Sequence, residues 1–295
     1  MEELLSYQNG NTCVTLFADG TKTREYSDVP LPLFPETLDV KLTDHCNMGC
    51  AFCHESSTTK GKHGDLSALL DALSDLPSGV ELALGGGDAM SHPGFMEFVS
   101  ACKQRGWICN LTINQGHVKR YSDDLKHLIA NDLIKGVGIS ITSKNYKWAQ
   151  YPSTLTPHSV FHVIAGVHEV DVLDDLFALN EESKVLVLGY KDFGFGVQFR
   201  DAEVNRKMEE WAMFISRYLG KMHLSFDNLA IEQLDMQRWF TDDQWNSLYM
   251  GDDFSFSMYV DAVKQEYSPT SRTSSGRVSM KDMNVLDYFQ KFRNS

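Results

Sequence analysis

The chain has 295 residues, 42% of them hydrophobic and 23% charged, enough for one large domain or two small ones with a buried core. A formal charge of -13 argues against an extended grip on nucleic acid, which rests on excess Lys and Arg. No apolar run reaches the roughly 18 residues of a membrane span, and the start MEELLSYQNG lacks the features of a secretory signal, so a cytoplasmic location is expected.

The first thirty residues alternate polar and apolar, with turn signals at Asn9-Gly10 and Asp19-Gly20, and predict a small β-meander. Cys13 falls in one of its strands and reads as a core residue. Pro30, Pro32 and Pro35 predict an extended connection. From Leu38 onward, short apolar runs alternate with amphipathic helical patterns, the signature of βα units around a parallel sheet. The predicted strands are 38–42, 80–84, 107–114, 137–141, 161–165 and 185–190.

Between them, Leu66, Leu69, Leu70 and Leu73 follow helical spacing behind an Asp65 cap. Phe95, Phe98, Val99 and Cys102 do the same, with Gly106 at the stop. Cys102 and Cys109 are therefore expected in the core. Later, Met208, Trp211, Ala212, Ile215 and Leu219 predict another helix, with candidate strands at 222–226 and 256–260. The stretch 268–279, rich in Ser, Thr and Arg, reads as a mobile loop suited to act as a lid. The expected organisation is a meander over 1–36, a core over 37–200 and an extension over 201–295.

Three of the six cysteines crowd into Cys46-Asn47-Met48-Gly49-Cys50-Ala51-Phe52-Cys53, directly after the first strand of the βα series. Loops at the carboxyl ends of parallel strands are where such folds carry their active sites. Three thiolates on one tight loop can hold three irons of a cubane cluster and leave the fourth without a protein ligand. The alternative is structural zinc with His45 or His54 as fourth ligand, although zinc loops usually bring two separated pairs and no second pair exists here.

The C-x3-C-x2-C spacing, with aromatic Phe52 before the last cysteine, resembles the cluster loop of the radical S-adenosylmethionine (SAM) superfamily. Gly85-Gly86-Gly87-Asp88, after the second strand, resembles that family's glycine-rich motif for the methionine end of SAM, with Asp88 where Glu is usual. Asn114 and Ser140, in the third and fourth strands, are similar to positions beside the cosubstrate.

The resemblance implies an α/β fold: a partial (β/α)6 TIM-like barrel, here with an N-terminal β-meander and a C-terminal α/β extension completing or covering it. It also implies that Cys46, Cys50 and Cys53 bind a [4Fe-4S] cluster at which SAM is reductively cleaved. The resulting 5'-deoxyadenosyl radical would abstract hydrogen from a small-molecule, nucleotide or peptide substrate. An electron donor such as flavodoxin or ferredoxin is then needed, and Lys60, Lys62 and His63 offer an acidic donor a local docking patch.

The string 188–194 is similar to uncharacterised single-cluster members, and the lack of cysteine after Cys109 argues against a C-terminal auxiliary cluster. Lys191, Arg200 and Asp261, polar residues at or beyond apolar runs, are the catalytic candidates. Two other readings are a glycyl-radical-enzyme activase and a non-catalytic zinc or iron–sulfur binding module.

Overall fold

The computed structural model describes residues 2–293. Strands β1 (Glu3–Asn9), β2 (Thr12–Phe17) and β3 (Lys22–Glu25) form an antiparallel sheet in chain order. A second sheet is built on β4 (Thr37–Thr43), β5 (Glu81–Gly86), β6 (Ile108–Asn114), β7 (Gly136–Ser140), β8 (Ser159–Ile164), β9 (Lys184–Leu188), β10 (His223–Phe226) and β11 (Ser257–Asp261). These run parallel in the order β10-β9-β8-β7-β6-β5-β4-β11. The short strands β12 (Glu266–Ser268) and β13 (Val278–Ser279) continue antiparallel beyond β11.

Among the described residues the parallel run therefore has eight strands, the six of the expected βα series joined by the candidate strands at 222–226 and 256–260 as β10 and β11. The last third of the chain supplies β10 beside β9 and β11 beside the first strand, β4. Met258 and Val260 on β11 continue the buried layer begun by Leu38 and Val40, so the extra strand completes an apolar face that β4 would otherwise leave at an edge.

Strict alternation along these strands sorts side chains onto two unlike faces. Leu38, Val40 and Leu42, then Leu82 and Leu84, then Cys109, Leu111 and Ile113 are buried in one core with helix residues such as Leu69, Phe98, Cys102 and Leu125. Each fully buried Leu or Phe contributes about 1.5–3 kcal/mol. Asp65 caps helix Leu66–Ala72 as expected, its carboxylate accepting from the Ser67 and Ala68 amides.

The opposite face is polar or small, with Asp39 and Lys41, Ala83 and Gly85, Asn110, Thr112 and Asn114, Gly138 and Ser140, and His162. Ladder partners in a parallel sheet share a face, which aligns Lys41 with Gly85 and Asp261, and Ser140 with Asn114 and His162.

The sheet curls around this polar face. Strands β4 and β9 are five places apart, about 24 Å in a flat sheet at ~4.8 Å per strand. Yet Lys191, just past β9, brings its Nζ to 3.4 Å from Nε2 of His54, in the loop after β4.

The small sheet packs at the amino ends of the barrel strands. Lys22 pairs with Glu81 at 2.5 Å, Arg24 with Glu36 at 2.8 Å, and Lys184 donates to the Asp19 carbonyl at 3.0 Å. That end is thus covered, leaving the carboxyl end for chemistry. Cys13 is half-buried beside Ser6 on the meander, contrary to the core position expected, because β2 has one face turned partly to solvent.

The stretch 268–279 is a pinned hairpin connection, where a mobile loop was expected. Ser268 is fully buried, Arg272 pairs with Asp253 and Glu232, Arg277 pairs with Glu266, and Tyr288 donates to the Gly276 carbonyl. Its arginines are held by acids outside the stretch.

Candidate active site at the carboxyl ends of the strands

The cysteine loop leaves β4 and folds back on itself. Thr43 Oγ1 accepts from the His45 amide at 2.9 Å, the Cys46 amide donates to the Thr58 carbonyl at 2.9 Å, and the Asp44 amide to the Lys62 carbonyl at 2.8 Å. Gly49, at φ +66°, turns the chain between Cys46 and Cys50 in a conformation that favours glycine. The thiols of Cys46, Cys50 and Cys53 are free and half-buried.

The Met48 amide points at Cys46 Sγ (3.5 Å) and Asn114 Nδ2 at Cys50 Sγ (3.8 Å). Burial pushes the Cys46 and Cys50 thiols up, and the neighbouring cysteines push them further. A cavity of about 520 Å³ opens against this loop, walled opposite Cys46 and Cys50 by Phe195, Gln198 and Phe199. The Phe52 ring meets Phe199 edge-on at 5.7 Å.

The glycine turn at the end of β5 is joined directly to the cysteine loop. The Gly87 amide donates to the Thr43 carbonyl and the Asp88 amide to the His45 carbonyl, both at 2.7 Å. A Cβ at position 86 would lie 2.6 Å from the Thr43 carbonyl, and one at 87 would lie 2.3 Å from that of His45. These two positions need glycine to let the loops touch. At Gly85 the nearest atom to such a Cβ is 4.0 Å away, so its missing side chain leaves open space on the interior face.

Asp88 is turned into the protein: Oδ2 accepts from Tyr121 Oη at 2.8 Å and Oδ1 lies 3.7 Å from His117 Nδ1. A buried carboxylate is drawn to the donors available inside. Asn114 Oδ1 accepts from the Gly116 amide and Thr142 Oγ1. Ser140 stands beside Asn114 on the interior face.

A charged cluster supports the loop from below. Lys41 Nζ lies 2.6 Å from Asp44, 2.8 Å from Glu55 and 3.4 Å from Asp261, and Tyr259 donates to Glu55 at 3.1 Å. Burial opposes ionisation of Lys41, but Glu55, Asp44 and Asp261 outweigh it and hold the ammonium well above its ordinary range. Burial likewise opposes the Glu55 charge, yet His54 and Lys41 hold that carboxyl well below the usual carboxylate range.

Of the three catalytic candidates, Lys191 reaches this cluster, contacting His54 and Ser271. Asp261 is fully committed to Lys41 and to the Val263 and Lys264 amides that close the turn after β11. Arg200 lies outside, in an exposed ion pair with Asp192, because the chain turns outward after helix Gly196–Phe199.

Sequence reasoning missed Asp39, Lys41, His117 and His162. Asp39 has accessible surface towards the interior but no hydrogen bond or ion pair among the described residues. Burial pushes its carboxyl up, Lys191 offsets part of this, and Asp227 and Asp253 add to it. The available signal was alternation, since Asp39 and Lys41, like Asn110, Thr112 and Asn114, interrupt apolar runs at every second position. Lys60, Lys62 and His63 are all exposed, and the His63 ring also packs between the His45 and His92 rings and contacts Thr43 Oγ1 at 2.9 Å.

Residues 40–169 match the family described as the radical SAM superfamily. The chain's fold is similar to that of SuiB from Streptococcus suis bound to the precursor peptide SuiA, at 12% identity and a TM-score of 0.62, over 90% of this chain and 68% of that one. The SuiB structure bound to S-adenosylmethionine gives 11% identity and a TM-score of 0.62, over 89% and 68%. No curated protein matches the chain in sequence.

A [4Fe-4S] cluster and SAM are the cofactors of this enzyme class. Three free thiols on one loop, each at a different point of a turn, fit a cubane that takes every cysteine at a separate iron. No described helix is long and apolar enough to cross a membrane.

Proposed function

We propose that Cys46, Cys50 and Cys53 hold the cluster and that SAM lies between it and the glycine turn, with the substrate against the polar interior face of the sheet. When bound, the cluster supplies the electron that breaks a carbon–sulfur bond of SAM, giving methionine and a 5'-deoxyadenosyl radical that takes hydrogen from the substrate. The observation that carries this reading is the backbone attachment of the two loops, Gly87 to Thr43 and Asp88 to His45. It makes the distance from thiols to glycine turn a property of the fold.

The chain's own residues then have separable tasks. Gly85 leaves room for a ligand to approach the β5 backbone, Asn114 and Ser140 present polar groups beside it, and Phe52 shields the last cysteine from solvent. Asn114 and the Met48 amide stabilise sulfur charge by donating to the Cys50 and Cys46 sulfurs. Lys191, with His54, and the unpartnered Asp39 face the volume left for substrate.

A substrate bearing an amine or hydroxyl donor suits Asp39, a requirement that a small molecule, a nucleotide or a peptide can each meet. The flavodoxin or ferredoxin that delivers the electron would approach over Lys60 and Lys62, the exposed cations beside the cysteine loop.

Anaerobic reconstitution with iron and sulfide tests the reading. We expect about four irons per chain and release of 5'-deoxyadenosine from SAM on reduction with dithionite. Both should be lost in Cys50→Ala. A reconstituted chain that holds the cluster but never cleaves SAM would refute it.

A further inference from the structure

Cys46 is flanked by two held residues, one fixed by Asp88 and the other by His117. The Asp88 backbone amide holds the carbonyl of His45, which precedes Cys46, at 2.7 Å. The residue that follows it, Asn47, is held by His117, whose Nε2 donates to Asn47 Oδ1 at 2.7 Å, while the other side of the imidazole packs 3.7 Å from Asp88 Oδ1 without a hydrogen bond. Tyr121 fixes the far carboxylate oxygen at 2.8 Å and packs edge-on against the His117 ring at 6.2 Å.

Asp88, His117 and Tyr121 are all at least nine-tenths buried, so the Tyr121–Asp88 hydrogen bond is made away from competing water. The three lie on three different segments: the glycine turn, the helix Gln115–Val118 after β6, and the turn leading into helix Ser122–Ala130. Asn47 itself is exposed and makes no other side-chain hydrogen bond among the described residues.

We propose that Asp88 and His117 are positioning residues that clamp Cys46, setting where its thiolate points relative to the glycine turn. This rests on the assignment of Cys46 as a cluster ligand. It gives the buried Asp88 a role through its backbone amide. Packing alone does not account for the arrangement: a buried imidazole whose Nε2 is used on an exposed asparagine orders a loop that has few apolar contacts of its own.

The test uses the full chain, reconstituted anaerobically, as parent, His117→Leu, His117→Gln, Asn47→Ala and the double variant His117→Leu/Asn47→Ala. Paramagnetic resonance of the reduced cluster is recorded with and without SAM, and SAM affinity is measured by titration. Loss of one buried hydrogen bond corresponds to about a tenfold change in an equilibrium. His117→Leu and Asn47→Ala are therefore each expected to weaken SAM binding about tenfold and to alter the resonance of the SAM complex.

His117→Gln, which carries a donor at the reach of Nε2, should restore most of both, and the double variant should be no worse than His117→Leu. Additive losses in the double variant, or an unchanged signal and affinity in Asn47→Ala, would overturn the clamp while leaving the function intact. Asn47→Ala is on the surface, so that arm holds even if His117→Leu does not fold. A parent chain that forms no cluster would instead sink the function, and the clamp with it.

Discussion

Lys41 on β4 and Glu55, two residues past Cys53, meet at 2.8 Å, so one ion pair ties the exit of the cysteine loop to its entrance. The lysine is almost wholly buried, and Asp44 and Asp261 share it. A lysine in this setting is a counter-charge for three acids.

Replacing that lysine should therefore be costly. Lys41→Met leaves Glu55, Asp44 and Asp261 without their cation, and breaking a buried ion pair from one side costs about 3–5 kcal/mol. Urea unfolding should show this loss, and iron retained per chain should fall with it, because the two ends of the loop separate. Retention of both parent stability and parent iron content would mean the pair does not organise the loop.

The glycine turn should divide into two kinds of position. Gly87→Ala drives a Cβ to 2.3 Å from the His45 carbonyl and is expected to destabilise the chain by about 1–3 kcal/mol through overpacking. Gly85→Ala has room within the protein and should leave the unfolding midpoint nearly unchanged while weakening SAM binding, because it fills space reserved for ligand. Equal effects of the two on stability, read by thermal melting, would contradict this division.

His162 gives a pH signature. Burial on the interior face pulls its imidazole down to about 4, against ~6.5 in an unfolded chain. The unfolded state thus takes up the proton first. This contribution is complete above the unfolded value and is lost as pH falls through 6.5 towards 4, by about 2 kcal/mol at pH ~5. His162→Gln removes the titration, so the parent should lose about 2 kcal/mol more than the variant between pH ~7 and ~5 in urea unfolding. Parallel losses in both proteins would show that His162 is not the group responsible.

What sequence alone determined was local in the chain. Cys46, Cys50 and Cys53 share one loop, Gly85, Gly86 and Gly87 share one turn, and each predicted strand is one contiguous stretch of the chain, so spacing was enough to read them. Asp65 is a cap for the same reason, since its partners are two and three residues away.

Tertiary structure decided everything whose partners are remote. Arg200 and Lys191 looked alike in sequence, and only the path after β9 sends one to solvent and the other to His54. The Tyr121 hydrogen bond to Asp88 could not be read from spacing, and His117 carried no signal because Asn47, its hydrogen-bond partner, lies in a separate loop. The physical cause is curvature: a sheet that closes on its polar face brings distant side chains together, and no periodicity in the chain encodes which of them will meet.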